Sequence, residues 1–173
     1  MTIVEFLLDE AVIAKDGQHS PNTASAAALE ETYFVMPVRF SIKRVELLEQ
    51  PLNHSKTFSD HSLGGSEQRN PYLSLPLIGF GTHTVEFLSD IEAGEDRKMY
   101  LAGGGYLVFK RQKDMITVGS GINGRSCSES RSELLDAFST FLGEVKRLLL
   151  SRVRGIDTHP SWLTWFNDRR QAE

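Results

Sequence analysis

Three patterns in the sequence predict an α+β fold: a single domain, residues 1–173, in which a mostly antiparallel sheet (hairpin plus meander) packs on one face against two main helices. Val38, Phe40 and Ile42 alternate with Arg39, Ser41 and Lys43, the period-two pattern of a half-buried strand. Between residues 97 and 130, KMYLA, GYLVFKRQ, MITVGSGI and RSCSES read as four short strands separated by GGG, QKD and NG, the layout of a meander. SELLDAFSTFLGEVKRLLLSRV then places Leu134, Leu135, Phe138, Phe141, Leu142, Val145, Leu148, Leu149 and Val153 on one broad helical stripe.

The elements follow in order. Ile3 to Ala14 reads as a strand or a strand pair, with Asp9-Glu10 as a break. KDGQHSPNTASAAALEE begins as a loop through Gly17 and Pro21, and SAAALEE favours a short helix because alanine and glutamate lose little in that conformation. The alternating strand resumes at Val45 and Leu47 after Lys43-Arg44, as a hairpin or one bent strand, and Pro37 places its start at an edge. Residues 50–74 show no periodicity, contain Gly64-Gly65, Pro51 and Pro71, and read as a long mobile loop.

SLPLIGFGTHTVEFLSDIEAG predicts the first main helix, near 76–92. Ser74 is its candidate cap, Pro76 lies near the first turn, and Ile78, Gly81, Val85, Leu88 and Ile91 follow helical spacing to a stop at Gly94. Gly79 and Gly81 weaken that helix but permit close packing against a sheet. The second main helix covers 132–153, capped by Ser130 with Glu133, or by Ser132, and ended by Gly155. HPSWLTWFN closes the described pattern as a Trp-rich helical turn or two. The expected core is Val38, Phe40, Ile42, Val85, Leu88, Leu107, Phe109, Ile116, Val118, Leu134, Phe138, Phe141, Val145 and Leu148.

Bulk properties narrow the function classes. A chain of 173 residues with 40% hydrophobic and 24% charged side chains buries about two thirds of its surface without a covalent staple. Cys127 stands alone, which excludes an internal disulfide and a multi-cysteine zinc site and suits a reducing cytoplasm. The start, MTIVEFLLDEAVIAKDG, lacks a basic n-region, and no apolar run has the length of a membrane span, so a cytoplasmic location is expected. The first 96 residues carry fifteen acidic and six basic side chains, net −9, and the rest carry eight and thirteen, net +5. Either the two halves attract each other within one fold, or an acidic face engages a basic partner. Asp9, Glu10, Glu46 and Glu49 are the candidate residues of such a face. The net charge of −4 argues against a dedicated nucleic-acid binder.

Candidate chemistry is sparse. Gly119, Gly121 and Gly124 spell G-x-G-x-x-G after a strand, but no helix opens behind them to face a pyrophosphate. Asn123-Gly124 reads instead as a two-residue hairpin turn pairing Ile122 with Arg125 and Ser120 with Cys127. Gly103-Gly104-Gly105 lacks the Lys-Ser or Lys-Thr of a phosphate loop. Cys127 with His83 or His159 is a conceivable nucleophile and base, against the alternative of a small buried hydrophobe. His54, Asp60 and His61 have no recognisable metal-ligand spacing. Arg125, Arg131, Arg152, Arg154, Arg169 and Arg170 read either as a phosphate patch or as a solvated face that complements a helix dipole. Trp162, Trp165 and Phe166 are either a partner anchor or a lid on the core, with Trp162 and Trp165 the candidate contact residues. No catalytic residue, cofactor or metal site is assigned.

In order, VRFSIKRVELL, PLIGFGTHTVEFL, GGGYLVFKRQKDMITV, ELLDAFSTFLGEVKRLLL and HPSWLTWF resemble in layout a family of small bacterial α+β proteins similar to the immunity proteins of polymorphic-toxin systems. The resemblance covers roughly residues 33–168, with Lys43-Arg44 standing where an Asn-Gly or Asp-Gly turn is expected. It implies a non-enzymatic protein that neutralises a cognate toxin by stoichiometric binding; the net charge and the lack of a long apolar run add the expectation of no nucleic-acid and no membrane partner. The alternatives are a small-ligand binder or enzyme with a site under the 50–74 loop, tested at His54, His61 and Cys127, and a structural protein that forms oligomers.

Overall fold

The computed structural model describes residues 1–18, 23–51 and 70–166. Strand β1 (Thr2–Phe6) leads into helix α1 (Glu10–Gln18), then α2 (Ala26–Glu31), β2 (Val35–Ile42) and β3 (Val45–Glu46). β4 (Ser74–Pro76), α3 (Leu77–Asp90), β5 (Asp96–Tyr100), β6 (Tyr106–Gln112), β7 (Met115–Ser120) and β8 (Ser126–Ser130) follow. α4 (Arg131–Arg152), a 3-10 turn (Ile156–Thr158) and α5 (Trp162–Phe166) complete the described order. Residues 52–69, with His54, Asp60 and His61 and most of the loop expected at 50–74, lie outside the described residues.

The fold is α+β as expected, and its antiparallel strands divide between two four-stranded sheets. In the first, β2 is central. One edge pairs with β1, from Thr2 opposite Ile42 to Phe6 opposite Val38. The other edge is shared by β3 at its C-terminal end and β4 at its N-terminal end. The Leu73 backbone joins them: its carbonyl accepts from the Val38 N–H at 3.0 Å and its N–H donates to the Leu48 carbonyl at 3.0 Å. The last residues of the expected loop are thus tied to the sheet: Tyr72 bridges Glu49, and Ser74 begins β4. The second sheet is the β5–β6–β7–β8 meander.

Four local expectations are corrected. Glu10–Gln18 is a helix where strand was expected to Ala14 and loop beyond it, because the Asp9 carboxylate accepts from the N–H groups of Ala11 (3.0 Å) and Val12 (3.3 Å) and starts it. Ser74 does not cap α3; it is a strand residue, and Pro76 immediately precedes the first helical residue. The expected capping box at α4 is half formed: Ser130 Oγ accepts from the Glu133 N–H at 3.2 Å, while the Glu133 carboxylate accepts from the Thr2 N–H at 3.4 Å. The Asn123-Gly124 hairpin is wider than two residues. The ladder stops at Gly119 opposite Ser126, the Ser120 N–H donates to the Arg125 carbonyl at 2.8 Å, and within that loop Gly124 alone has positive φ, 75°. The extra width lets the loop reach the first sheet. Ser120 Oγ donates to the Leu47 carbonyl at 2.6 Å, and Asn123 Nδ2 donates to the carbonyls of Glu46 and Glu49, each at 3.0 Å.

Helices α3 and α4 bind the sheets together. Phe40 of β2 meets Phe138 of α4 at 5.2 Å between ring centroids, Phe138 meets Phe80 of α3 at 5.5 Å, and Phe80 meets Phe141 at 6.0 Å. Phe6 of β1 adds an edge contact to Phe141 at 6.0 Å. The rings lie near perpendicular, which sets positive edges against negative faces. Phe87 on α3 reaches Phe109 of the second sheet at 6.0 Å. Of the expected core, Val85 and Leu148 are only partly buried and the others are buried. The α3 glycines serve helix contacts rather than the expected sheet contact. A Cβ on Gly79 would stand 2.1 Å from the Glu30 carbonyl oxygen of α2, and one on Gly81 would stand 2.5 Å from Leu142 Cδ2 of α4.

Among the described residues no helix is long and apolar enough to cross a membrane.

The β2–β3 turn is the clearest place where sequence and backbone disagree. Lys43 and Arg44 both hold positive φ, 50° and 69°, in a two-residue turn that favours Asn-Gly. An L-residue in that region costs roughly 1–2 kcal/mol. Arg44→Gly is therefore expected to raise unfolding free energy by about 1 kcal/mol, read from urea denaturation midpoints at unchanged slope; an unchanged or lower midpoint contradicts a strained turn.

Candidate functional site

A groove of about 790 Å³ runs along the outer side of α3 and α4, walled at one end by α5. Its position follows from the two amphipathic helices. Each turns its phenylalanines toward the sheets, which leaves Val85 on α3 and Leu135 and Leu142 on α4 half-buried on the floor between them. Hydroxyls of Thr82, Ser139 and Thr140 and a set of charged side chains rim the floor. Trp165 and Phe166 supply the wall.

Glu30 organises that wall. Ser25 caps α2 by accepting from the Ala28 N–H at 3.1 Å, buried Leu29 anchors the helix, and Gly79 lets the Glu30 backbone approach α3. The Glu30 carboxylate then accepts from Trp165 Nε1 at 2.7 Å and lies 3.7 Å from His83 Nε2. His159 stacks on Trp165, with centroids 4.9 Å apart and planes 19° apart. Its Nδ1 accepts from the Ser161 N–H at 3.1 Å, so Nε2 carries the proton and donates to the Ala24 carbonyl at 2.9 Å. On the other side of Glu30 and His83 lies a second cavity of about 540 Å³, reaching Phe80, Met99 and Tyr100.

The C-terminal end of α3 is closed by two guanidinium groups. Arg131 donates to the carbonyls of Leu88 (2.6 Å) and Ser89 (2.7 Å), and Arg111 donates to the Ile91 carbonyl at 2.7 Å. Positive charge there complements the helix dipole and satisfies carbonyls that have no partner within the helix.

The residues singled out from sequence are placed apart. Asp9 caps α1. Glu10 pairs with Arg152 at 2.6 Å, Glu49 with Arg125 at 2.9 Å, and Glu46 with Arg39 at 2.7 Å. The Glu10–Arg152 and Glu49–Arg125 pairs join the acidic and basic halves of the chain within the fold, while Glu46–Arg39 lies within the acidic half. Glu46 and Glu49 flank Tyr72, whose phenol is raised above its ordinary value by burial and then by the charge of Glu46. Trp162 and Trp165 are 7% and 4% exposed and form the lid on the core. Cys127 pairs with Val118 across β7 and β8 and packs against the core, its Sγ directed at the Ser128 carbonyl at 4.0 Å, while His83 and His159 engage Glu30 and Ala24. Among the described residues no group of three or more His, Cys, Asp and Glu side chains is arranged to hold a metal ion. Gly121 lies under the Tyr106 ring, a packing role within the glycine motif.

Glu30→Ala leaves the buried indole N–H of Trp165 without its acceptor. The expected result is a loss of about 1–2 kcal/mol of stability with a red-shifted tryptophan emission, measured by denaturation followed by fluorescence; unchanged emission and stability contradict the role given to Glu30.

Compared with family models, curated proteins and solved structures, the chain matches none of them, so its function is read from this geometry.

Proposed function

We propose that the chain is a non-enzymatic protein-binding module of the immunity type, which neutralises a bacterial toxin in the cytoplasm by binding it, and that the α3–α4 groove is its docking surface. One observation carries the docking reading. An apolar floor of Val85, Leu135 and Leu142, ringed by hydroxyls and charges and walled by aromatics, lies on two helices held from behind by the phenylalanine cluster. An apolar centre with a polar rim is the common anatomy of a protein interface. A surface already held in place loses little freedom on binding. The toxin-neutralising part rests on the resemblance in layout, drawn from the sequence alone, to immunity-like proteins. Pairing of Glu10, Glu46 and Glu49 with arginines shifts the docking reading from an acidic face to the groove. The same pairs, with Arg131 spent on the end of α3, occupy four arginines that an anionic partner such as nucleic acid or membrane would engage, which favours a protein as partner.

The test is retention of a partner by immobilised full-length protein from a lysate of the source organism, with wild type compared against Val85→Arg on the groove floor and Thr140→Arg on its exposed rim. Wild type is expected to retain one stoichiometric protein, both variants to lose it at wild-type melting temperature, and co-expression of the wild type to suppress that protein's toxicity. Retention by both variants, or by none of the three, contradicts the proposal.

A further inference from the structure

The second sheet has an open edge. β5 is its terminal strand and, among the described residues, pairs with β6 alone. The Leu101 N–H donates to the Gly105 carbonyl and the Arg111 N–H to the Glu95 carbonyl, each at 3.0 Å. With the β5–β6 register, this sets the hydrogen-bonded positions at Glu95, Arg97, Met99 and Leu101. The N–H and C=O groups of Asp96, Lys98 and Tyr100 therefore point away from β6, and all three residues are exposed. Charged side chains commonly guard such an edge. Here Asp96 lies 3.9 Å from Lys110, and the Lys98 ammonium stands 4.3 Å from the centroid of the Tyr106 ring, contacts that draw both side chains back over β6.

Beside the same edge lies the cavity of about 540 Å³. Met99 turns the other way from Lys98 and Tyr100: it is 6% exposed, and its sulfur lies 3.8 Å from the Thr84 hydroxyl of α3. Met99, Leu101, Leu75 and Phe80, all buried, give the cavity an apolar floor. Glu30, Glu31 and His83 also line it, and among the described residues no lysine or arginine does. Glu30 is committed to Trp165 and His83, whereas Glu31 is exposed and its carboxylate has no partner among the described residues.

We propose a second interaction surface, separate from the α3–α4 groove: the open edge of β5 takes an extended segment of a partner protein as an added strand, with a lysine or arginine of that segment set opposite Met99, over the cavity and directed at Glu31. Backbone bonds to Asp96, Lys98 and Tyr100 hold the segment, and the side chain at the cavity selects it. Side chains of an added strand alternate between faces, so every second one faces α3 as Met99 does. There a long basic side chain lays its apolar stem on Met99, Leu101 and Phe80 and keeps its charge at the rim with Glu31. A second copy of β5 is the poorer occupant. A two-fold axis at Lys98 or at Arg97 sets like charges opposite each other. One at Met99 brings Arg97 opposite Leu101 and pulls it from Glu95, which it holds at 2.6 Å.

The experiment uses the full-length chain and fluorescently labelled macrocyclic β-hairpin peptides of about twelve residues, each offering one free strand edge of threonine and valine. The first carries lysine at the central position that faces the cavity and the second carries glutamate there. The third repeats the lysine hairpin with N-methyl groups on the amides of its free edge. Fluorescence anisotropy is expected to show saturable binding of the lysine hairpin, about fivefold weaker binding of the glutamate hairpin, as one exposed ion pair allows, and none of the N-methylated one. Amide exchange at Lys98 and Tyr100 is expected to slow in the complex. Glu31→Lys is expected to remove the preference for lysine, and Val85→Arg on the groove floor to leave binding unchanged. Lys98→Pro, which removes an outward N–H that β6 does not use, is expected to abolish binding. The N-methylated hairpin reads the same bonds on the unaltered chain should that variant misfold. Undiminished binding of the N-methylated hairpin, a preference untouched by Glu31→Lys, loss of binding in Val85→Arg, or no binding by any of the three hairpins overturns the inference. A wild-type dimer in light scattering that Lys98→Pro breaks assigns the edge to a second copy and also overturns it.

Discussion

The contact among Phe40, Phe138, Phe80 and Phe141 is the constraint on which the remaining architecture depends. One ring comes from the central strand of the first sheet, two from α4 and one from α3, and consecutive pairs lie 5.2–6.0 Å apart. Neither sheet buries a face without these helices. The first sheet places Val38, Phe40 and Ile42 on them; the second places Phe109 against Phe87. Deleting one large ring from such a core costs on the order of 3–5 kcal/mol, a large share of a domain's net stability.

The groove is a consequence of the same constraint. Two helices that turn their bulkiest side chains inward leave smaller ones, Val85, Ser139, Leu142 and Gly143, between them on the outside. Gly79 and Gly81 draw α3 so close to α2 and α4 that a methyl group at either position meets a neighbour. Arg131 and Arg111 fix the far end of α3, and Glu30 with Trp165 fixes the α5 wall. The groove is therefore held by packing and charge from behind.

Much of the fold was legible because its strongest signals are local. The α4 stripe, the alternation through Val38, Phe40 and Ile42, and the four strands of the meander each carry their periodicity in a few residues. Apart from the local cap of α1, what was not legible depends on partners distant in sequence. Residues 10–14 are apolar enough for a strand, and the Asp9 cap decides for helix. The Asn123-Gly124 loop widens because Asn123 finds the carbonyls of Glu46 and Glu49, more than seventy residues away. Glu30 carried no signal; it sits in an alanine-rich helix, and its role comes from Trp165 and His83 arriving in space. Trp162 and Trp165 have the composition of a binding anchor, yet burial makes them a lid. The charge split was visible, and the ion pairs Glu10–Arg152 and Glu49–Arg125 show the halves meeting within the fold. Pairs this exposed contribute about 0–1 kcal/mol each, so they orient the surface more than they stabilise it.

The central claim is that α3, α4 and the central strand of the first sheet form one cooperative unit through the phenylalanine cluster. Native-state hydrogen exchange at increasing denaturant tests it most directly. The account predicts that backbone amides from Phe80 to Leu88, from Phe138 to Leu149 and within Val35–Ile42 exchange with one common free energy, equal to that of global unfolding. Amides of α3 that exchange through a lower-energy opening, independent of α4 and the central strand, would contradict it.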